Sequence, residues 1–350
     1  MRFFGTLFLL IVTCAFLAGE TPLSDAQQKF AAEIGATFQT LDKQKAAAGA
    51  GADGWLFFTG ELRLLSVGRF WGDEAAKVSR AHKPELADPV PAILDFHQQL
   101  KARGIELLVV PVPPKVAIYP EKIVAGFDVR TNDPAPLLHR FYEELRTAGV
   151  DVLDLSTIFV QNRETTHGPV FCKTDSHWSG IGCVLAAQAI AEKVRPKLST
   201  AAAPKQYTAE WKDAEREGDL GALLARDAHK TAPERIAVQK VTEKGTGAAV
   251  EDDLNAPLLL LGDSHTLIYH DRDFLPVQAG LLDQLALQLG FAPDLIGTSG
   301  SGATPVRINL YRRSVKDAGY LAKKKVVVWC FAAREFTEAT EGWSKVPVAK

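Results

Sequence analysis

The chain has 350 residues, 47% of them hydrophobic and 23% charged, which allows one large or two small globular domains with an α/β core. A formal net charge of −2 supplies no global field for nucleic acid or for an acidic membrane surface, so a polyanion would have to meet a local basic patch. Beyond the N-terminal segment only Cys172, Cys183 and Cys330 remain, without metal spacing, which excludes a disulfide scaffold; Cys172 and Cys183 are read either as a bridge or as buried free thiols.

Arg2 precedes FFGTLFLLIVTCAFLAG, residues 3–19, an uncharged apolar run followed by Glu20. A basic start, an apolar stretch and small residues predict an export signal over residues 1–26, cut near Ala18–Gly19 or after Ala26. The alternative is an uncleaved anchor, since 17 apolar residues sit at the lower limit for a bilayer span. Cys14 lies too deep in the run for a lipoprotein signal. Residues 27–50 read as a helix fraying into AAAGAGADG, and GADGWLFFTGELRLL, 51–65, as a strand and turn. Ile93, Leu94, Phe96 and Leu100 recur at helical spacing, with Gly104 placed to stop the helix. IELLVVPV, 105–112, is a continuous apolar run of strand length and predicts a buried parallel strand. A helix over 137–149 and a strand over 150–155 follow, and such alternation argues for a parallel sheet with helices on its faces.

IGCVLAAQAIAEKV, 181–194, is helical, with Ser179 as N-cap and Pro196 beyond its end. Residues 197–255 are polar with weak periodicity and read as an insertion or lid rather than as sheet. APLLLLGDSH, 256–265, predicts another buried strand ending abruptly at Gly262-Asp263-Ser264. LLDQLALQLG, 281–290, is a helix with a glycine stop, and KKKVVVWCFAAREF, 323–336, closes the sheet pattern. One α/β domain over 27–350 is the expectation.

FCKTDSHWSGIG, 171–182, places Asp175 and His177 two residues apart, so on an extended segment both side chains fall on one side. A histidine base needs a nucleophile, and Ser264 is the candidate, on a tight turn at the C-terminal edge of a parallel sheet where ligands bind. A serine hydroxyl reacts once a base removes its proton, and an imidazole with a pKa of about 6.5 suits that task. The carboxylate would then fix the imidazole tautomer. Each motif is weak alone. G-D-S can be a plain turn, and D-x-H a surface turn with Trp178 in the core. A metal site from Asp175, His177, His265 and His270 is a further possibility, although no helical His pair supports it.

The series GADGWLFFTGEL, VVPVPPKVAIYPEKI, CKTDSHWSGIG, LLLLGDSHT and VVVWCFAAREF, in this order from about residue 50 to 336, resembles the AlgX/AlgJ alginate O-acetyltransferase family. The resemblance implies an SGNH-hydrolase-like three-layer α/β sandwich with a mostly parallel sheet and a permuted motif order, the Asp/His pair preceding the serine. It implies a periplasmic enzyme that uses Asp175, His177 and Ser264 to move acetyl groups onto hydroxyls of an exported polysaccharide. It implies no cofactor, and a membrane-bound acyltransferase as the source of acetyl groups.

Arg334 would orient a carboxylate or bind substrate, or else be a salt-bridged arginine at a strand end. Lys115 falls on the lysine of the Pro-x-Lys stretch, and a helix-starting or surface lysine is the plainer reading. The backbone N–H of Ser264 is the natural first oxyanion donor, with GTSGSG, 297–302, as a second source or a plain loop. The basic segment 307–316, with Arg307, Arg312, Arg313 and Lys316, could contact uronate carboxylates, although a solvated helix face is its ordinary explanation. The sequence departs from the family pattern at Cys330, where an acidic residue is common, and the expectation is a layout like that of the shorter, single-domain members. The competing functions are an acetyl esterase on the same fold and a non-catalytic export or scaffold protein.

Overall fold

In the computed structural model, residues 22–198, 205–225 and 232–350 are described; the apolar run at 3–19 lies outside them. The strands in chain order are β1 (Ala48–Ala50), β2 (Leu56–Phe58), β3 (Glu106–Val112), β4 (Asp151–Val152), β5 (Glu164–Thr165), β6 (Gly168–Pro169), β7 (Tyr207–Arg216), β8 (Glu234–Glu243), β9 (Leu258–Gly262), β10 (Asp294–Gly297) and β11 (Val326–Ala332). Five of them make one sheet of order β10-β9-β11-β3-β4, parallel throughout.

The apolar runs are continuous because the central strands are covered on both faces. Along β3, Leu108, Val110 and Val112 enter one core, while Leu107 and Val109 enter the other. The four leucines of β9 divide in the same way, Leu258 and Leu260 against Leu259 and Leu261. The first core is closed by the helices Gly180–Val194 and Leu281–Leu289 through residues such as Ile190 and Leu285. The second is closed by Pro89–Lys101, Pro136–Thr147 and Thr304–Lys316 through Phe96, Phe141 and Leu310. These are the three layers of an α/β sandwich.

The last strand, β11, inserts between β9 and β3. The chain steps outward from β3 to β4 on one side and from β9 to β10 on the other, which makes the centre of the sheet a switch point. The C-terminal ends of β9, β11 and β3 therefore share one edge, where an open α/β sheet offers its crevice.

Several local expectations change. The helix predicted over 27–50 spans Asp25–Lys43, closed at its start by a capping box between Ser24 and Gln27, and Ala48–Ala50 pairs with β2 instead of fraying. A cut after Ala26 would remove that cap, whereas one near Ala18–Gly19 would keep it. After β2 the chain turns into a buried helix, Thr59–Leu64, where a turn was expected. Only Asp151–Val152 of the 150–155 run pairs with the sheet. Within 197–255, β7 and β8 form a ten-residue antiparallel ribbon where no sheet was expected. The alternation of Ile236 and Val238, both buried, is its signature in the sequence. This ribbon pairs with no strand of the central sheet.

Candidate active site

Gly262 ends β9 so close to β11 that a Cβ there would lie 1.9 Å from the Cys330 carbonyl oxygen, so only glycine fits. The chain then turns through Asp263, whose side chain accepts from the His265 N–H (2.9 Å) and the Ala332 N–H (2.7 Å), locking the turn to β11. Ser264 follows at the first position of a short helix, Ser264–Leu267, where the backbone N–H has no partner within the helix. The loop 297–302 lies beside it: the Thr298 N–H donates to the Gly262 carbonyl (2.9 Å), and Trp329 Nε1 donates to that of Gly302 (2.7 Å).

Asp175 and His177 arrive from the other side of the edge, on a loop between Phe171 and Trp178, which are themselves bridged antiparallel. The three residues meet. Asp175 Oδ1 lies 2.6 Å from His177 Nδ1 and accepts from the His177 backbone N–H (2.9 Å), while His177 Nε2 lies 2.7 Å from Ser264 Oγ. With the proton on Nδ1 donated to Asp175, Nε2 is free to accept the serine proton. All three are buried, Ser264 retaining 7% exposure at the mouth.

Burial raises the Asp175 carboxyl, but the charge and hydrogen bond of His177, together with Arg216, outweigh it and hold Asp175 well below the usual carboxylate range. Burial likewise disfavours the His177 imidazolium, yet Asp175 and Asp219 prevail and raise His177 above its ordinary value. The adjacent His265 shifts the opposite way: burial outweighs Asp263 and lowers it. His265 Nδ1 lies 3.2 Å from Asp263 Oδ1, and its ring packs against those of His177 and Trp178.

The other named residues are placed as follows. Lys115 does start a short helix, Lys115–Ile118, but it is fully buried rather than on the surface. Its Nζ donates to the carbonyls of Cys172 (3.0 Å), Lys173 (3.1 Å) and Asp175 (2.7 Å), so it ties down the backbone of the loop that carries the pair and leaves no group facing a substrate. Lys115→Met should leave the Cys172 and Asp175 carbonyls without their lysine donor, while the Lys173 carbonyl keeps the Leu56 N–H, and lower stability by about 2–6 kcal/mol, since each unmet buried acceptor costs about 1–3 kcal/mol. Thermal unfolding followed by circular dichroism reads this, and an unchanged midpoint would contradict it.

Trp178 is fully buried in the core. Arg307 is not on a solvated face: it is 1% exposed, its guanidinium lies 5.1 Å from the Trp329 ring, and burial lowers its pKa to about 10. Of its neighbours, Arg313 pairs with Asp294 at 2.7 Å, while Arg312 and Lys316 are exposed. Arg334 lies near the site, 3.6 Å from Glu61 and over the Phe58 ring. Its charge faces Glu61, Asp263, Glu335 and Asp219, which raise its pKa against the effect of burial. Cys172, Cys183 and Cys330 are free and buried.

The ligand set Asp175, His177, His265 and His270 does not converge, because His270 Nδ1 is 3.0 Å from Asp283 and His265 is turned to Asp263. Potential ligand atoms of Asp175, His177 and Asp219 do lie within 4.8 Å of one another. However, Nδ1 is engaged with Asp175, and Arg216 Nε donates to the remaining oxygen at 2.7 Å, so a fixed cation already faces that carboxylate. Arg216 and Asp219, both from the 197–255 segment, were not singled out from sequence. Asp219 Oδ1 and Oδ2 accept from the N–H and hydroxyl of Ser176, both at 2.6 Å, and the Asp219 N–H donates to Asp175 Oδ2 at 3.2 Å.

Among known proteins, residues 49–304 match the family model described as SGNH hydrolase-like domain, acetyltransferase AlgX. The probable alginate O-acetylase AlgJ of Pseudomonas putida is 26% identical over 306 residues, covering 85% of this chain and 72% of the relative. That of Pseudomonas aeruginosa is 24% identical over 307 residues, covering 83% and 71%. Two solved structures share the fold. The O-acetyltransferase domain of Pseudomonas putida AlgJ superposes with a TM-score of 0.61 at 23% identity over 83% of this chain and 92% of that one. Pseudomonas aeruginosa AlgX gives 0.59 at 20% identity, over 81% and 62%.

Proposed function

Since the chain belongs to the SGNH hydrolase-like AlgX acetyltransferase family, we propose that it transfers acetyl groups to hydroxyls of an exported, alginate-like polysaccharide through an acyl-enzyme on Ser264. The observation that carries this reading is the hydrogen-bonded series Asp175–His177–Ser264 at the C-terminal edge of the sheet. In the first step Ser264 Oγ attacks the acetyl carbonyl while its proton passes to His177 Nε2. The bond to the donor oxygen or sulfur breaks, and the leaving group takes that proton. In the second step a sugar hydroxyl gives its proton to His177 and attacks the acyl-enzyme; the new ester forms and Ser264 recovers its proton. The Ser264 N–H and the 297–302 loop are the proposed oxyanion donors, and Arg334 the proposed contact to an acidic substrate.

Transfer in place of hydrolysis requires an acceptor held against the acyl group with water excluded. The acetyl group would come from a membrane-bound acyltransferase and the reaction would run in the periplasm. That location follows from the signal or anchor expected at residues 1–26; no helix among the described residues is long and apolar enough to cross a membrane. The deciding experiment incubates the protein with an acetyl ester donor and mannuronate oligosaccharides, followed by mass spectrometry. Acetylated sugar supports the reading. Acetate alone turns it into an esterase, and an unreactive Ser264 into a non-catalytic export protein.

A neutral imidazole is the active base, so the rate must fall as acid protonates His177. Because His177 is raised, the acid-limb midpoint of kcat/KM is expected above the ordinary value of about 6.5. A pH profile of the initial rate at donor concentrations well below KM checks this, and a midpoint at or below that value would contradict it.

A further inference from the structure

His177 Nδ1 faces two carboxylates, Asp175 at 2.6 Å and Asp219 at 3.6 Å. Two anions on one imidazole stabilise the imidazolium, and an imidazolium cannot accept a proton from Ser264. A reaction resting on that base, as the proposed function does, needs a counter-charge. Arg216 is placed to supply it. Its side chain is 10% exposed, its Nε donates to Asp175 Oδ2 at 2.7 Å, and its Nη1 donates to the Leu275 carbonyl at 2.7 Å. The guanidinium also lies 5.6 Å from the Tyr269 ring, so it is fixed on three sides.

The ribbon β7–β8 holds Arg216 there. Glu234, at the start of β8, accepts from the N–H groups of Lys173 (2.9 Å) and Thr174 (3.0 Å) and from the Thr174 hydroxyl (3.2 Å). Two residues past Arg216, a Cβ on Gly218 would lie 2.0 Å from the Thr174 carbonyl oxygen, so the ribbon seats directly on the loop that carries Asp175 and His177. Asp219 then grips Ser176. The end of β7 and the start of the helix Asp219–Ala225 thus deliver a cation and an anion to the same carboxylate–imidazole pair.

We propose that Arg216 is a positioning residue of the acyl transfer, whose guanidinium, delivered by the β7–β8 ribbon, offsets part of the pull of the two carboxylates at His177 and so limits its protonation, leaving the imidazole able to take the Ser264 proton. The other titratable groups facing His177 are Arg334, beyond β11, whose charge disfavours its protonation, and His265, beyond Ser264, which burial holds below its ordinary value and His177 lowers further. Lys115 reaches the Asp175 backbone from the end of β3. None of these donates to the Asp175 carboxylate, which Arg216 does.

The test is the rate at which a fluorophosphonate labels Ser264 in the full chain, measured against pH. In Arg216→Gln, which keeps a donor but removes the charge, the acid-limb midpoint should rise by about half to one pH unit, an interaction typical of a partly screened neighbouring charge. In Arg216→Lys it should return to the wild-type value. Asp219→Asn removes an anion from the other side of the ring and should lower the midpoint, which keeps the proposal testable if Arg216→Gln does not fold. A purely structural arginine would lower the rate at every pH without moving the midpoint. That outcome, or a downward shift in Arg216→Gln or an upward one in Asp219→Asn, overturns the proposal. Failure of the wild-type protein to label would instead strike the proposed function itself.

Discussion

Ser264→Ala is expected to lower acetyl transfer by about five to six orders of magnitude, the loss typical of removing a serine nucleophile from an intact Ser-His-Asp set. The stability should barely change. Ser264 is 7% exposed and its hydroxyl has one described partner, His177 Nε2, so the substitution deletes a single hydrogen bond worth about 1 kcal/mol. Intact protein mass spectrometry after exposure to an acetyl donor gives the readout: an acetyl adduct on the wild type and none on the variant. An adduct that persists in Ser264→Ala would move the acyl group elsewhere and end the serine mechanism.

What made Ser264 legible was local. A run of four leucines ending in Gly-Asp-Ser has few uses other than a buried strand broken by a tight turn, and β9 ends there. The sheet strands were readable for the same reason: strands covered on both faces must be apolar where they are buried, and β9 and β11 are throughout, as is β3 from Leu107 onward. The capped helix after Ser179 followed from its spacing. Asp175 and His177 were legible as a pair because they stand two residues apart, although the chain between them bends instead of running extended and brings the His177 N–H onto the Asp175 carboxylate.

The buried cations were not legible. Lys115 and Arg307 read as surface residues, and Arg216 was not singled out, because a long charged side chain is ordinarily solvated and nothing beside them in sequence announces a partner. Lys115 is buried because three carbonyls of a loop 57–60 residues away converge on its amine. Arg216 is placed by a carboxylate 41 residues earlier in the chain. Arg307 lies over the Trp329 ring, a contact that exists only after β11 has inserted into the sheet. The ribbon was missed for a different reason. β7 is largely exposed and its polar residues mask the alternation, so only β8, with Ile236 and Val238 buried, carried a strand signal.

The same long-range contacts set the outcome of Asp175→Asn, expected to lower the acyl-transfer rate by about four orders of magnitude while the protein stays folded. The native carboxylate accepts on both oxygens. Oδ1 takes the His177 backbone N–H and Nδ1–H, and Oδ2 takes Arg216 Nε–H and the Asp219 N–H. An asparagine offers one acceptor and one donor to a site built entirely of donors. The charged guanidinium and the Asp219 N–H together outbid the other side, because a charge-assisted hydrogen bond is about twice as strong as a neutral one. The amide oxygen therefore settles at the Oδ2 position and the NH2 group faces the imidazole.

Nδ1 must then become an acceptor, which moves the ring proton to Nε2 and points it at Ser264 Oγ, 2.7 Å away. A base in that tautomer cannot take the serine proton. Substrate affinity should be little affected, so the loss belongs in kcat rather than KM. Fluorophosphonate labelling of Ser264 should slow in parallel, with an unchanged circular dichroism spectrum. A variant within about tenfold of wild type would mean that Asp175 neither fixes the tautomer nor steadies the imidazolium, and that its bond to His177 is structural.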